Sequence, residues 1–134
     1  MTSFVVYKGE LRTIGTHVRS ANQIVTDAPI DNQGKGEAFS PTDLLATSLA
    51  SCIFSIMGIL ANKHEIDISG AYGSVVKVME SNPRRVSRII IDISMPSNKY
   101  SDKQKKLLEK AASACPVGRS LHPDLIQDIR ITWP

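Results

Sequence analysis

Two stretches of the sequence carry residues that could do chemistry, SPTDLLATSLASC ending at Cys52 and ACPVGRSLHP beginning one residue before Cys115; these hold the two cysteines of the chain. Cys115 precedes Pro116, which places it at the N-cap of a helical turn, where free N–H groups and the helix dipole favour a thiolate. Cys52 lies in an apolar run, where a free cysteine behaves as a small hydrophobe. It becomes a nucleophile only beside a positive charge, and Arg12, Arg19 and Arg119 are the candidates. If the two thiols meet, one can be oxidised to a sulfenic acid and the other can condense with it to a disulfide. Two cysteines fall short of a zinc site, and His17, His64 and His122 have no metal-ligand spacing, so no metal or cofactor is expected.

The elements that must position these thiols are legible. SFVVY, ELRTIGTHV and QIVTD read as strands of an antiparallel meander, followed by a polar loop from Pro29 to Phe39. Ser40-Pro41-Thr42-Asp43 starts a helix by N-cap, first-position proline and capping-box acid, and the helix is expected to run to about Lys63. Leu45, Leu49, Cys52, Ile56 and Leu60 form one stripe of it. Leu44, Ile53, Met57 and Ile59 extend the apolar surface nearly all round, which predicts a helix buried on most sides, with Met57 in the core. SVVKVMES and RVSRIIIDISM read as a hairpin turning at Asn82-Pro83. Ser101 and Gln104 then cap a lysine-faced helix, a short turn begins at Pro116, and IQDIRITW closes the chain as a strand. That order gives an α+β fold in a single domain over residues 1–134.

Composition excludes several classes. With 42% hydrophobic and 22% charged residues, the chain is globular rather than disordered. A net charge of +3, with the densest lysines at Lys103, Lys105, Lys106 and Lys110, reads as a solvated helix face. No aromatic-basic interleaving points to nucleic acid. The start, MTSFVVYKGE, lacks the pattern of an export signal, so a cytoplasmic location is expected. Leu44 to Ala61 is eighteen residues without a charge. Its four Ser and Thr, its glycine and the lack of flanking aromatics nonetheless favour a core helix over a membrane span.

The proline-started helix carrying Cys52, the lysine-bearing second helix and the ACPVGRSLHP segment with its closing strand together resemble the OsmC/Ohr family of small thiol peroxidases, over nearly the whole chain. The resemblance implies an OsmC-like fold with antiparallel sheets and long central helices, assembled as an intertwined homodimer with its active sites at the subunit interface. It also implies reduction of organic hydroperoxides without metal or haem, followed by re-reduction by an external dithiol. Cys52 would attack the peroxide and Cys115 would resolve it.

The sequence departs from that pattern at one place. The peroxidase branches carry a glutamate ten positions before the first cysteine, paired with the catalytic arginine, and here that position is Thr42. Asp43 falls on the opposite side of the helix at about 100° per residue and reads as a cap. Glu37 in the preceding loop is a looser candidate. Arg19, near the position of the glycine-arginine turn of the Ohr branch, is the arginine chosen here. His17 reads as structural, His122 as a residue near Cys115, and His64 as a helix end. Two alternatives follow from Thr42 and the lysine helix: a non-catalytic dimer binding a small apolar ligand or acting as a redox sensor, and a small RNA-binding domain.

Overall fold

A computed structural model describes all 134 residues, and the chain divides into two compact units, residues 1–45 and 46–134. Strands β1 (Ser3–Gly9), β2 (Arg12–His17) and β3 (Gln23–Asp27) form an antiparallel meander in the first unit. The strand read as ELRTIGTHV begins two residues late, because Glu10 and Leu11 form the hairpin turn with φ of 53° and 62°. A two-residue turn with both residues left-handed matches the twist of the flanking strands. The signal was absent because the residues there are Glu and Leu rather than Asn and Gly.

The segment after β3 is loop apart from a single 3-10 turn, Ile30–Asn32. It is tied back to the meander at several points: the Asp27 N–H donates to the Phe39 carbonyl, Thr26 bridges Phe39, and Lys35 pairs with Glu10 at 2.6 Å. Helix α1 (Pro41–Lys63) starts where the cap predicts. The Asp43 N–H donates to Ser40 Oγ at 3.0 Å, and the Ser40 N–H donates back to Asp43 Oδ2 at 2.9 Å, closing a reciprocal cap.

In the second unit β4 (Tyr72–Glu80) and β5 (Arg85–Ser94) form the expected hairpin. Strand β6 (Ile126–Thr132) adds to the other edge of β5, parallel to it. A parallel neighbour needs a crossover, and α2 (Asp102–Ala112) and α3 (Pro116–Ser120) supply it. The capping box of α2 forms as read, Ser101 with Gln104. The core sets Ile89, Ile91 and Ile93 of β5 with Leu49, Ile53 and Met57 of α1 and Leu108 of α2, all essentially inaccessible to solvent.

Helix α1 meets this core along one face. Its buried residues are Ala46, Leu49, Ala50, Ile53, Met57 and Ala61, spaced by three and four. Of the stripe expected from sequence, Leu49 alone lies on the buried seam, while Cys52, Ile56 and Leu60 are half-buried and Leu45 is exposed. The run is apolar nearly all round, so periodicity could not choose a seam. The choice falls on the side whose alanines let the helix approach closely. By composition and length α1 is also long and apolar enough to cross a membrane. Here its buried face is part of the core of the second unit.

Candidate functional site

The two thiols come together in the second unit. Both are free, Cys52 half-buried on α1 and Cys115 buried at the start of α3. Cys115 occupies the N-cap of α3 in an extended conformation, followed by Pro116 at the first helical position. Its Sγ accepts the Gly118 N–H at 3.2 Å. Leu49, one turn before Cys52, lies 3.4 Å from the place a Gly118 side chain would occupy, and Cys115 Sγ lies 3.3 Å from the same place. The site is therefore assembled where α3 presses against α1.

The cap geometry follows the sequence reading, but its electrostatic consequence differs. Burial raises the Cys115 pKa above its ordinary value; the Gly118 N–H pulls it back, and the neighbouring Cys52 raises it again through hydrogen bonding and charge. Removing a nascent thiolate from water outweighs what one short helical turn offers it. Cys115 is therefore held as a thiol at neutral pH.

Asp27 is the centre of a charged cluster in the first unit. It closes β3, is 1% exposed, and lies opposite Arg12 in the register of β2 and β3. Arg12 grips it with both arms, Nε to Oδ1 at 2.7 Å and Nη2 to Oδ2 at 2.8 Å. The same guanidinium reaches Glu37 at 3.0 Å, and the Glu37 N–H donates to Asp27 Oδ2 at 3.1 Å. The Arg12 guanidinium beside Asp27 holds that carboxyl below its usual range, and the two carboxylates raise Arg12 further above its own.

Glu37, the looser of the two acidic candidates, is thus an arginine partner, while Asp43 is engaged in the helix cap. Arg19 lies exposed in the turn after β2, and Arg119 is exposed on α3. Sequence reasoning missed Asp27. The β2–β3 register sets that acid opposite Arg12, and no local pattern in the sequence states the register. Among the histidines, His17 bonds Ser20 at 2.6 Å, and His122 Nδ1 accepts the Asp124 N–H at 3.0 Å. Met57 is fully buried, as its place on the helix suggested. No three histidine, cysteine or acidic side chains converge as a metal site.

A family model described as OsmC-like protein matches residues 34–127, well over half the chain. The chain belongs to the OsmC-like family. Among solved structures, this OsmC-like chain is similar to a protein from Psychrobacter arcticus whose name proposes a role in osmotic stress induced and detoxification response. The two share 54% identity over 98% of this chain and 96% of that one, with a TM-score of 0.94. The OsmC-like fold also recurs at lower identity. An organic hydroperoxide resistance protein OsmC from Legionella pneumophila is 16% identical, over 99% of this chain and 96% of that one, with a TM-score of 0.72. An OsmC-like protein from Mycoplasma pneumoniae is 18% identical, over 98% and 94%, with a TM-score of 0.76. Among curated proteins, none matches the OsmC-like sequence.

Proposed function

We propose that this protein is a thiol peroxidase that reduces organic hydroperoxides, with Cys52 as the peroxidatic and Cys115 as the resolving cysteine. The observation that carries this reading is the meeting of two free thiols at the edge of an apolar core. The Cys52 thiolate attacks the distal oxygen of R–O–O–H; the O–O bond breaks, the alkoxide leaves and takes up a proton, and Cys52 becomes a sulfenic acid. The Cys115 sulfur then displaces the hydroxyl as water, losing its proton, and a Cys52–Cys115 disulfide forms. An external dithiol returns two electrons and two protons. Leu49, Ile53 and Phe54 around Cys52 favour an organic peroxide over hydrogen peroxide.

An arginine stabilises the thiolate and polarises the O–O bond. Arg19 is the choice made from sequence; Arg12 joins it as a second candidate because Asp27 and Glu37 hold its guanidinium in one orientation. The active assembly is a cytoplasmic homodimer. Support for the dimer comes from the first unit, where Phe4, Val5, Val6, Tyr7, Ile24 and Val25 are each at least 40% exposed, more apolar surface than a monomer ordinarily leaves in water. The hydroperoxide resistance role named for the Legionella relative supports the choice of substrate, not the assembly.

Reduced protein mixed with stoichiometric cumene hydroperoxide, or with hydrogen peroxide, tests the reading. Both thiols should disappear faster with the organic peroxide, yielding an intramolecular disulfide, and Cys52→Ser should abolish the reaction. Survival of both thiols, or a rate no greater than that of free cysteine, would sink it. Arg12→Lys and Arg19→Lys in the same assay assign the arginine by which of the two slows the first step.

A further inference from the structure

The Cys115 turn is held by a side chain that neither the sequence pattern nor the proposed chemistry assigns. Helix α3 is five residues long, too short to hold its own geometry by internal hydrogen bonds. Gln127, on β6, reaches across and donates from Nε2 to the Gly118 carbonyl at 2.7 Å. A carbonyl can only accept, so the amide must present its nitrogen there. Its oxygen then lies 2.7 Å from where a Gly118 Cβ would be, closer than a real side chain would permit. The missing side chain at Gly118 is what lets the amide lie against the turn.

Gly118 is thus engaged from three elements. Its N–H points at Cys115 Sγ, its carbonyl is gripped from β6, and its Cα faces Leu49 on α1, one turn from Cys52. Fixing this one residue fixes the distance and direction from which the Cys115 sulfur approaches α1. Closing a disulfide demands a narrow geometry, and a thiol on a loose turn has a lower effective concentration at its partner.

We propose that Gln127 is a positioning residue for the resolving cysteine: its grip on the Gly118 carbonyl holds the α3 turn so that Cys115 faces Cys52, and so sets how fast and how completely the disulfide closes. The inference rests on the reading of Cys52 and Cys115 as a redox pair. It concerns the closing step, in which the Cys52 S–O bond breaks, the S–S bond forms and water leaves. A single side-chain hydrogen bond of this kind corresponds to about a three- to tenfold effect.

The test uses Gln127→Ala and Gln127→Met, the latter keeping the length of the side chain without its donor. After a stoichiometric pulse of cumene hydroperoxide, both variants should close the disulfide about three- to tenfold more slowly than wild type. The preceding step, followed as loss of the Cys52 thiol in a Cys115→Ser background, should change less than about twofold. In mixtures of reduced and oxidised dithiothreitol the disulfide form should be disfavoured by about the same three- to tenfold factor. Wild-type closing rates and equilibria in both variants would overturn the proposal. So would a Met variant that behaves as wild type while Ala does not, since the side chain would then act by packing. An equal slowing of both steps would also overturn it. Diamide closes the disulfide without any peroxide, so the Gln127 comparison can be read even if the protein proves inert to hydroperoxides.

Discussion

In residues 1–45 the buried side chains are Asp27 and Ser40, whereas every buried apolar side chain, from Ala46 to Leu125, belongs to residues 46–134. The first unit is organised by a bidentate ion pair between neighbouring strands, and its sheet leaves apolar residues exposed on both faces. The second is organised by isoleucine and leucine packed between one sheet and its helices. A three-stranded meander without an apolar core is marginal by itself. The difference teaches that the N-terminal unit is specified by register and charge and the C-terminal unit by volume, and that the thiols lie in the unit specified by volume. Substitutions should therefore act differently in the two.

The largest effect belongs to the apolar core. Ile53→Ala, at a position with no solvent exposure, should cost about 2–5 kcal/mol in urea unfolding. Val5→Lys, at a position 65% exposed on β1, should leave the urea midpoint of the monomer nearly unchanged and instead halve the mass seen by light scattering, because it charges the surface assigned to the partner subunit. Equal losses of stability from the two substitutions would erase the contrast. A Val5→Lys protein that keeps the mass of a dimer would remove the first unit from the interface.

A smaller effect separates the units by pH. Asp27 has a folded pKa below its ordinary value because Arg12 bonds it, so it binds fewer protons folded than unfolded. Its contribution is complete above about pH 4 and is lost as the pH falls through the lowered folded value. Asp128 in the second unit, lowered by Arg130 and Arg88, adds to the same acid limb. Cys115 runs the other way. Its thiol is raised, first by burial, so the folded chain keeps a proton that the unfolded chain gives up, and stability falls as the pH rises beyond about 8.5. Melting temperature against pH should show Asp27→Asn with a shallower acid limb and Cys115→Ser with a shallower alkaline limb. Limbs that stay parallel to wild type in both variants would mean that neither group carries the linkage.

What could be read in advance follows the same division. The strands of the second unit, both long helices and the caps at Ser40 and Ser101 were legible because each has a local cause: β-branched runs, a proline-started helix, a side chain that bonds three residues on. The buried seam of α1 was not, since an almost uniformly apolar helix leaves the choice to whatever packs against it. The parallel pairing of β5 with β6 depends on a crossover whose path no local pattern states. Around the thiols, the Cys115 cap was legible, but the raised pKa was not, because burial is a tertiary property. Asp27 and Gln127 act on partners set by strand register and by the approach of β6 to α3. A linear reading of charge and spacing cannot supply either.

The smallest expected effect returns to the first unit and the way it makes its turns. Of the six non-glycine residues with positive φ, Glu10, Leu11, Ala21 and Gln33 lie in residues 1–45. At Leu11, with φ of 62°, the Cβ of an L-residue crowds the adjoining carbonyl, which costs on the order of 1–2 kcal/mol. Glycine relieves that crowding but loses more freedom on folding, about 0.5–1 kcal/mol. Leu11→Gly should therefore stabilise by roughly 0.5–1 kcal/mol. The Leu11 N–H bond to the Tyr7 hydroxyl and the Ala28 N–H bond to the Leu11 carbonyl survive the change, since both use the backbone at position 11. A loss of stability would mean that the exposed Leu11 side chain is packed in solution. Measuring the variant over a range of protein concentrations distinguishes a contact within the chain from one with a second copy: only the second makes the loss depend on concentration.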